Sequence, residues 1–591
     1  MALDFPGGGP ENVRIRAFRY LFVRENTPLT HGGWIAILIG IGLVAIVTSV
    51  CTNFFDKFSR DYREGLSTYR LRGHVAILGF DASVPKQLRQ MMEQEFGRCY
   101  FLVMTSADIA GVRTQMDARL TTEMARRVIL LKGEISSPDA LARMCLKTCR
   151  EIHIFGDVTS GYALKDNKSL ACLDEVEKIR RKPLVPRVPC YLLFENKQVF
   201  SAFQIYDKES SSLVLYPLYR EEMNAHKLFL GQAGGIEGPS GIAADAKDYV
   251  HLVVFGMTGQ GVAMGMEAAM LAHYPNQVRY PDCRTRITFI DVEAEQGMKK
   301  LTCQMGAMFS TSRVRMVPVG VPVSSVHWKI PDNAWLGGDF MDLEWEFING
   351  AVFDPAVREY LDEQVSDPFV RLTVAVCFPQ SDDALSCALS LPESIFAKAI
   401  QVAVWQRDGA DVVDALSSIR GVSIQRYATM RAFGTDEDAY DAAKIREWLK
   451  QAEDMYESPE IPLFGNPSKT WAAQLSSNFY NIAHGEVKRR CIKASEGKIS
   501  MEEMADLLAK TEHNRWNAEQ LVLGFRPLMA EEQQEVIGKD PDSECFAEKK
   551  SRFKREKMAH LDICSWQRLG EVDPDALAYD SVFVKKYLVN T

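Results

Sequence analysis

The stretch HLVVFGMTGQGVAMGME, His251–Glu267, runs apolar from Leu252, stops on Gly256 and continues in small residues; HVAILGFDASVPKQLRQ, His74–Gln90, is built the same way. A short strand that breaks on glycine into a helix opens a doubly wound parallel sheet, because glycine permits both the turn and the close approach of helix to strand. Two such units predict two such sheets. The runs HVAILG (74–79), CYFLVM (99–104), RVILLKGE (127–134) and EIHIFGD (151–157) alternate with helix-length amphipathic stretches. HLVVFG (251–256), RITFID (286–291), VRMVPV (314–319), LTVAVC (372–377) and IQVAVW (400–405) repeat that alternation. Apolar strands of this kind are buried on both faces. The Gly-rich GQAGGIEGPSGIAADAKD between the copies reads as a linker.

At 591 residues the chain exceeds one core, and domains of ordinary size predict roughly three or four units. A net charge of −9 lacks the broad basic footprint of a nucleic-acid binder, so no nucleic-acid partner is expected. The 13 cysteines show no CxxC spacing, which suits reduced thiols in a cytosol-like compartment. Cys145 and Cys149 stand four apart in a helical pattern and read as buried helix positions.

Trp34–Phe55, WIAILIGIGLVAIVTSVCTNFF, carries no charge and as a helix covers about 33 Å, enough for a bilayer core. Its twelve Ile, Leu, Val and Phe favour insertion by about 4 to 7 kcal/mol. A single transmembrane helix over 31–56 is therefore expected, after a tail of residues 1–30. Arg14, Arg16, Arg19 and Arg24 precede the span and Lys57, Arg60, Arg63, Arg70 and Arg72 follow it, so charge alone does not orient it. The cysteine usage and the sheets downstream favour an inner-membrane protein whose bulk is cytoplasmic.

A nucleotide site on such a sheet needs glycines where backbone approaches a pyrophosphate, and an acid at the end of the second strand for the ribose. In the first copy the loop Gly79-Phe80-Asp81-Ala82-Ser83-Val84 keeps one glycine, Asp81 would repel phosphate, and Thr105 stands in the acid's place. That copy reads as degenerate. In the second, Gly256, Thr258, Gly259 and Gly261 form the loop and Asp291 ends the second strand. NAD or another adenine nucleotide is the cofactor such a loop suits; the alternative is that the glycines serve only a tight turn and helix packing.

The strand ending in Gly-Glu, the short Leu-bearing helix and the next strand in GEISSPDALARMCLKTCREIHIFGD resemble the regulator-of-potassium-conductance (RCK, TrkA-N) family, as does the entry YRLRGHVAILGF from a membrane helix. The resemblance covers about 70–205 and, more loosely, 248–435. It implies Rossmann-like domains that associate into dimers or larger rings, and a homo-oligomer is expected.

Past the second sheet, DEDAYDAAKIREWLKQAEDMY reads as an amphipathic helix and SPEIPLFGNPS as a linker. In EHNRWNAEQLVLGFRP (512–527), His513, Trp516 and Gln520 share one helix face, with Glu512, Arg515 and Glu519 on an adjacent one. A tryptophan beside an arginine and a histidine suits a stacking pocket for a planar anionic ligand. The plainer alternative makes Trp516 a core residue and Arg515 a solvated ion-pair partner of Glu519 or Glu512. Glu512, His513, Arg515, Trp516, Gly524, Arg526, His560 and Trp566 resemble the ryanodine-receptor-type (RyR) domain over about 465–585, with Phe525 departing from the tryptophan that family prefers. Upstream Ser477 and Asn478 also fit. The resemblance implies a ligand-sensing module for a nucleotide-derived ligand, with Asn478, His513, Arg515, Trp516, Arg526 and His560 as its contacts.

The expected fold is therefore α/β: one N-terminal transmembrane helix, two Rossmann-like parallel-sheet domains (70–232 and 248–435), a helix and linker (436–464), then a mostly α-helical RyR-type domain (465–591). No GxSxG, HExxH, Walker loop or close His-Cys set occurs, so no catalytic residue and no metal site is assigned. The function expected is a non-catalytic, membrane-anchored ligand sensor. Alternatives are a regulatory subunit of a potassium channel or transporter, with a separate membrane protein as partner because no TVGYG-like filter is present, and, more weakly, an NAD(P)-dependent oxidoreductase.

Overall fold

The computed structural model describes residues 31–578, 581 and 584, except 95–97, 158–161, 182–184, 206–211, 231–234, 408–410, 418–424, 436–444, 448–449, 451–471 and 539–544. The N-terminal tail, most of the helix expected over 436–456 and the linker after it fall outside the described residues.

Helix α1, His31–Arg63, runs past the expected end of the span by two turns that carry Lys57, Arg60 and Arg63. Its segment Leu38–Arg63 has a mean hydropathy of 2.1 in its most apolar window and is the one helix among the described residues long and apolar enough to cross a bilayer. Leu38, Ile39, Ile41, Ile46, Val47 and Val50 point outward with nothing packed on them. Length, apolar composition and exposure make this segment a candidate membrane span.

The first sheet comprises β1 Val75–Leu78, β2 Phe101–Thr105, β3 Val128–Lys132, β4 Glu151–Ile154, β5 Val188–Phe194 and β6 Leu213–Tyr219, in the order β3-β2-β1-β4-β5-β6. The second comprises β7 Tyr249–Phe255, β8 Thr285–Asp291, β9 Arg313–Val317, β10 Leu343–Asn349, β11 Val370–Val376, β12 Gln401–Trp405 and β13 Met430–Phe433, in the order β13-β12-β11-β7-β8-β10-β9. All strand pairs are parallel. The second order repeats the first with one strand, β10, inserted between β8 and β9. The chain reverses direction across each sheet beside β1 and beside β7, which is where open α/β sheets present a crevice.

Three details depart from the sequence reading. Cys145 and Cys149 are not helix positions: the helix Pro138–Leu141 passes into a single 3₁₀ turn, and Cys145 ends it with φ +50°, half-buried. The segment read as a linker is packed from Gly235 onward. Ile236, Ile242 and Ala244 are buried, and Glu237 pairs with Arg490 and accepts from Tyr274. Finally, both sheets are wider than read: the first has β5 and β6 beyond the four strands legible in sequence, and the second has β10 and β13 beyond the five.

The helices that position the sites are α2 Arg220–Leu230, α3 Gly259–Leu271, α4 Ala294–Thr311, α5 Ala472–Ala494, α6 Met501–Val522 and α7 Phe546–Lys557. Helix α2 leaves β6 of the first sheet and packs along α3 of the second. Helices α5 and α6 also pack on α3, so one apolar core runs from Val254 and Met264 through Tyr480 and Ala483 to Leu521. The C-terminal helices are thereby built onto the second sheet rather than tethered beside it. Beyond α6, β14 Arg526–Pro527 and β15 Ala559–His560 pair, and the cluster around them takes in Leu336 from the second sheet's own loops.

Candidate functional site

Gly256 follows β7 with φ +93°, and a Cβ there would sit 3.0 Å from the Cys377 carbonyl oxygen, at the end of the neighbouring β11. A Cβ at Gly261 would come to 2.0 Å from the Gly256 oxygen, so the helix approaches the strand as closely as glycine permits. Thr258 caps α3: its Oγ1 accepts from Gly261 N and donates to Cys377 O at 2.7 Å. Asp291 ends β8 and accepts from Met257 N at 2.7 Å and Glu293 N at 2.9 Å. The five loop residues named from sequence are thus brought together, with Asp291 clamping the loop through its backbone.

A residue that the sequence reading missed lies on this loop. The first residues of α2 place the Glu221 carboxylate against Gly259, where a Cβ would fall 2.4 and 2.6 Å from its two oxygens. Tyr219 Oη donates to that carboxylate, and the Glu221 backbone oxygen accepts from Gln260 Nε2 at 3.0 Å. Burial, with Glu195 and Glu222 nearby, pushes the Glu221 carboxyl up to about 7.

The corresponding loop of the first sheet is filled differently. Gly79, with φ +99°, packs against Gly156, whose oxygen would lie 2.0 Å from a Cβ. Asp81 accepts from Ser83 N and Oγ, and its other oxygen takes Arg220 and, at 3.5 Å, Lys165. Glu195 closes the network with Lys165 at 2.6 Å and Arg220 at 2.9 Å. Burial alone would raise the Asp81 carboxyl, but Arg220 and Lys165 outweigh it and hold it well below the usual carboxylate range. Thr105, where the ribose acid would stand, instead donates to Asp157 at 2.9 Å. Where a pyrophosphate would rest, this copy holds its own ion network.

In the C-terminal region the structure brings together three of the six residues named. Trp516, half-buried, has its ring 4.9 Å from His560 and 6.2 Å from His513, whose other neighbour is Trp566 at 5.8 Å. His513 Nε2 bonds the Cys564 oxygen at 2.9 Å. His560 Nδ1 accepts from Asp562 N at 3.3 Å, and burial, with Lys554 and Lys550 nearby, keeps its imidazole well below the usual range and neutral. Arg515 does not flank this group. It is fully buried, its Nε on Glu512 at 2.8 Å and its Nη1 on Glu519 at 2.7 Å, so the ion pair read as solvated is interior. The reason is local: α6 packs among α3, α4 and α5, and Glu512 also takes buried Lys488 at 2.7 Å. Arg526 is held by Glu532 through both nitrogens, at 2.6 and 2.8 Å. Asn478 lies in α5, and its side chain is outside the described residues.

No family model and no curated protein matches the sequence. Among solved structures, the chain is similar to GsuK bound to ADP (12% identity, TM-score 0.36, covering 72% of this chain and 85% of that one). It is also similar to the GsuK channel bound to NAD (10%, 0.37, 74% and 77%) and to the human SLO3 gating ring (8%, 0.36, 62% and 81%). Likeness at that level assigns no ligand or role to this chain.

Proposed function

We propose that this chain is a membrane-anchored regulatory protein that takes a phosphate-bearing nucleotide, NAD or another adenine nucleotide, at the Gly256–Gly261 loop and passes its occupancy to α1. The observation that carries this reading is an unbroken packed path. Glu221 touches Gly259; Arg220, its neighbour, holds Asp81 after β1; β1, β2 and β3 pair in turn; and Lys132 N on β3 donates at 2.9 Å to Gly65 O, two residues past α1. Such a path conveys a signal only where the ligand prefers one arrangement of it.

In this reading the protein is an inner-membrane homo-oligomer, its bulk cytoplasmic, and performs no chemistry. It acts on itself or, in the second form of the proposal, as a regulatory subunit of a potassium channel or transporter. The sequence resemblance to RCK domains favours that form. Trp516 between His513 and His560 supports the RyR-type region as a second, stacking site for a nucleotide-derived ligand.

The test is thermal unfolding of the detergent-solubilised chain with ADP, NAD and cyclic nucleotides. A ligand at a hundred times its Kd adds about 2.7 kcal/mol of stability, a rise of a few degrees. No rise with any of them at millimolar concentration removes the nucleotide reading, and oxidation of NAD(P)H by the purified chain replaces it with the oxidoreductase one.

A further inference from the structure

We infer that Glu221 is an internal gate: its carboxylate covers the glycine loop of the second sheet and must withdraw before a nucleotide phosphate can settle there. The inference rests on the nucleotide reading of that loop and adds its regulation.

Three observations carry it. The carboxylate lies against Gly259, the first residue of α3, where the positive end of the helix and the bare glycine backbone favour an anion. It comes from the other copy, at the start of α2, so it is brought there by tertiary structure and not by the loop itself. It is also held in place, by Tyr219 Oη on the carboxylate and Gln260 Nε2 on its backbone oxygen. Two anions cannot share that position, so phosphate entry requires Glu221 to turn away or to take up a proton.

The gate is tied to the first sheet. Arg220 is fixed between Asp81 and Glu195, and a rotation of the α2 start that withdraws Glu221 pulls on that network. Nucleotide entry at one copy is thereby felt at the loop of the other.

The experiment compares ADP binding by calorimetry to the full detergent-solubilised chain and to its Glu221→Gln and Glu221→Ala variants, with adenosine as the phosphate-free control. At pH 8 the gate predicts that both variants bind ADP at least tenfold tighter than the parent while adenosine affinity moves less than twofold. If all three bind ADP alike, or if adenosine gains as much as ADP, Glu221 is no gate and the nucleotide reading stands. If none of the three binds ADP or NAD, the nucleotide reading falls and the gate falls with it. Circular dichroism of each variant establishes that it is folded, and agreement between Gln and Ala separates loss of charge from a packing defect.

Discussion

Arg220 and Glu221 are consecutive in the chain, yet Arg220 bonds Asp81 in the loop after β1 while Glu221 lies against Gly259 in the loop after β7. One dipeptide at the start of α2 therefore supplies a cation to one copy's crevice and an anion to the other's. Removing Arg220 leaves Asp81 and Glu195 buried with Lys165 alone. Arg220→Met is expected to cost about 3 kcal/mol in urea unfolding, because an uncompensated buried carboxylate is the expensive product of breaking such a pair. Adding Asp81→Asn should recover part of the loss, and a double-mutant cycle with no coupling would show that the two do not act as a unit.

Glu221 should also print a pH signature. Its folded carboxyl is raised to about 7 from an ordinary 4.5, so the protonated form is the one the fold favours. The stability it contributes is complete below about pH 4.5 and is lost as pH rises through 7, on the order of 3 kcal/mol. The groups facing it are Glu195, Glu222, Lys197, Tyr219 and the Cys377 thiol, which burial keeps protonated throughout that window. The difference between parent and Glu221→Gln unfolding free energies, measured from pH 4.5 to 8, isolates this group. A difference that stays flat means the carboxyl is not raised.

Gly259→Ala tests the same contact from the other side. The added methyl's nearest neighbours are the Glu221 carboxylate atoms, the end of a side chain that can shift once its Tyr219 contact is given up, so the fold should tolerate it within about 1 kcal/mol, helped by alanine's helix propensity. Displacing the carboxylate should lower its raised pKa, and the pH profile should move toward that of Glu221→Gln. By contrast Gly261→Ala meets the Gly256 backbone at 2.0 Å and should unfold the loop.

The sheets were legible where strands are apolar on both faces, as in VAIL and FLVMT, and where a charged strand follows a glycine-loop unit at the expected spacing, as in β8 and β9; β5, β6, β10 and β13 were not read. β10, LEWEFIN, alternates with Glu344 and Glu346 and resembles a surface strand, yet it is interior and both acids are buried. Arg286 and Arg313 pair with Glu344, and Arg315, Thr288 and Tyr360 with Glu346, partners that no local pattern announces. β6 contains Pro217, which a sheet accepts because β6 is an edge. The glycine loop was readable as a motif. Glu221 was not, since nothing within its own segment marks a side chain that reaches the other copy.

Arg515 illustrates the cost of reading a helix face without its neighbours. Being buried between Glu512 and Glu519, it should lose about 3 to 5 kcal/mol on Arg515→Ala, enough to loosen α6 from the second sheet. A binding defect in that variant would report unfolding. Trp516→Ala, half-buried and without an ion pair, is the informative substitution: the fold should survive with about 2 kcal/mol lost, and any ligand stacked there should bind at least tenfold more weakly. Ligand affinity unchanged in folded Trp516→Ala excludes the stacking site.

The seam between α1 and the first sheet gives the last prediction. Gly65 has φ +69°, and a Cβ there would lie 2.7 Å from Lys132 N, the amide that donates to Gly65 O. Arg143 Nη1 reaches the same oxygen at 3.0 Å, and Arg113 lies 4.8 Å over the Tyr62 ring. Gly65→Ala therefore adds a backbone clash to left-handed strain, about 1 to 3 kcal/mol together, concentrated where β3 takes up the chain leaving α1. Gly73→Ala is the control, because Gly73 shares the left-handed backbone, φ +66°, but has open space around it. Hydrogen exchange at the Lys132 amide should accelerate roughly tenfold or more in Gly65→Ala and stay near the parent rate in Gly73→Ala. Equal exchange in the two variants would mean that β3 is held by its own sheet and that α1 hangs from it without a rigid joint, which would leave a signal in the first sheet no path into the membrane.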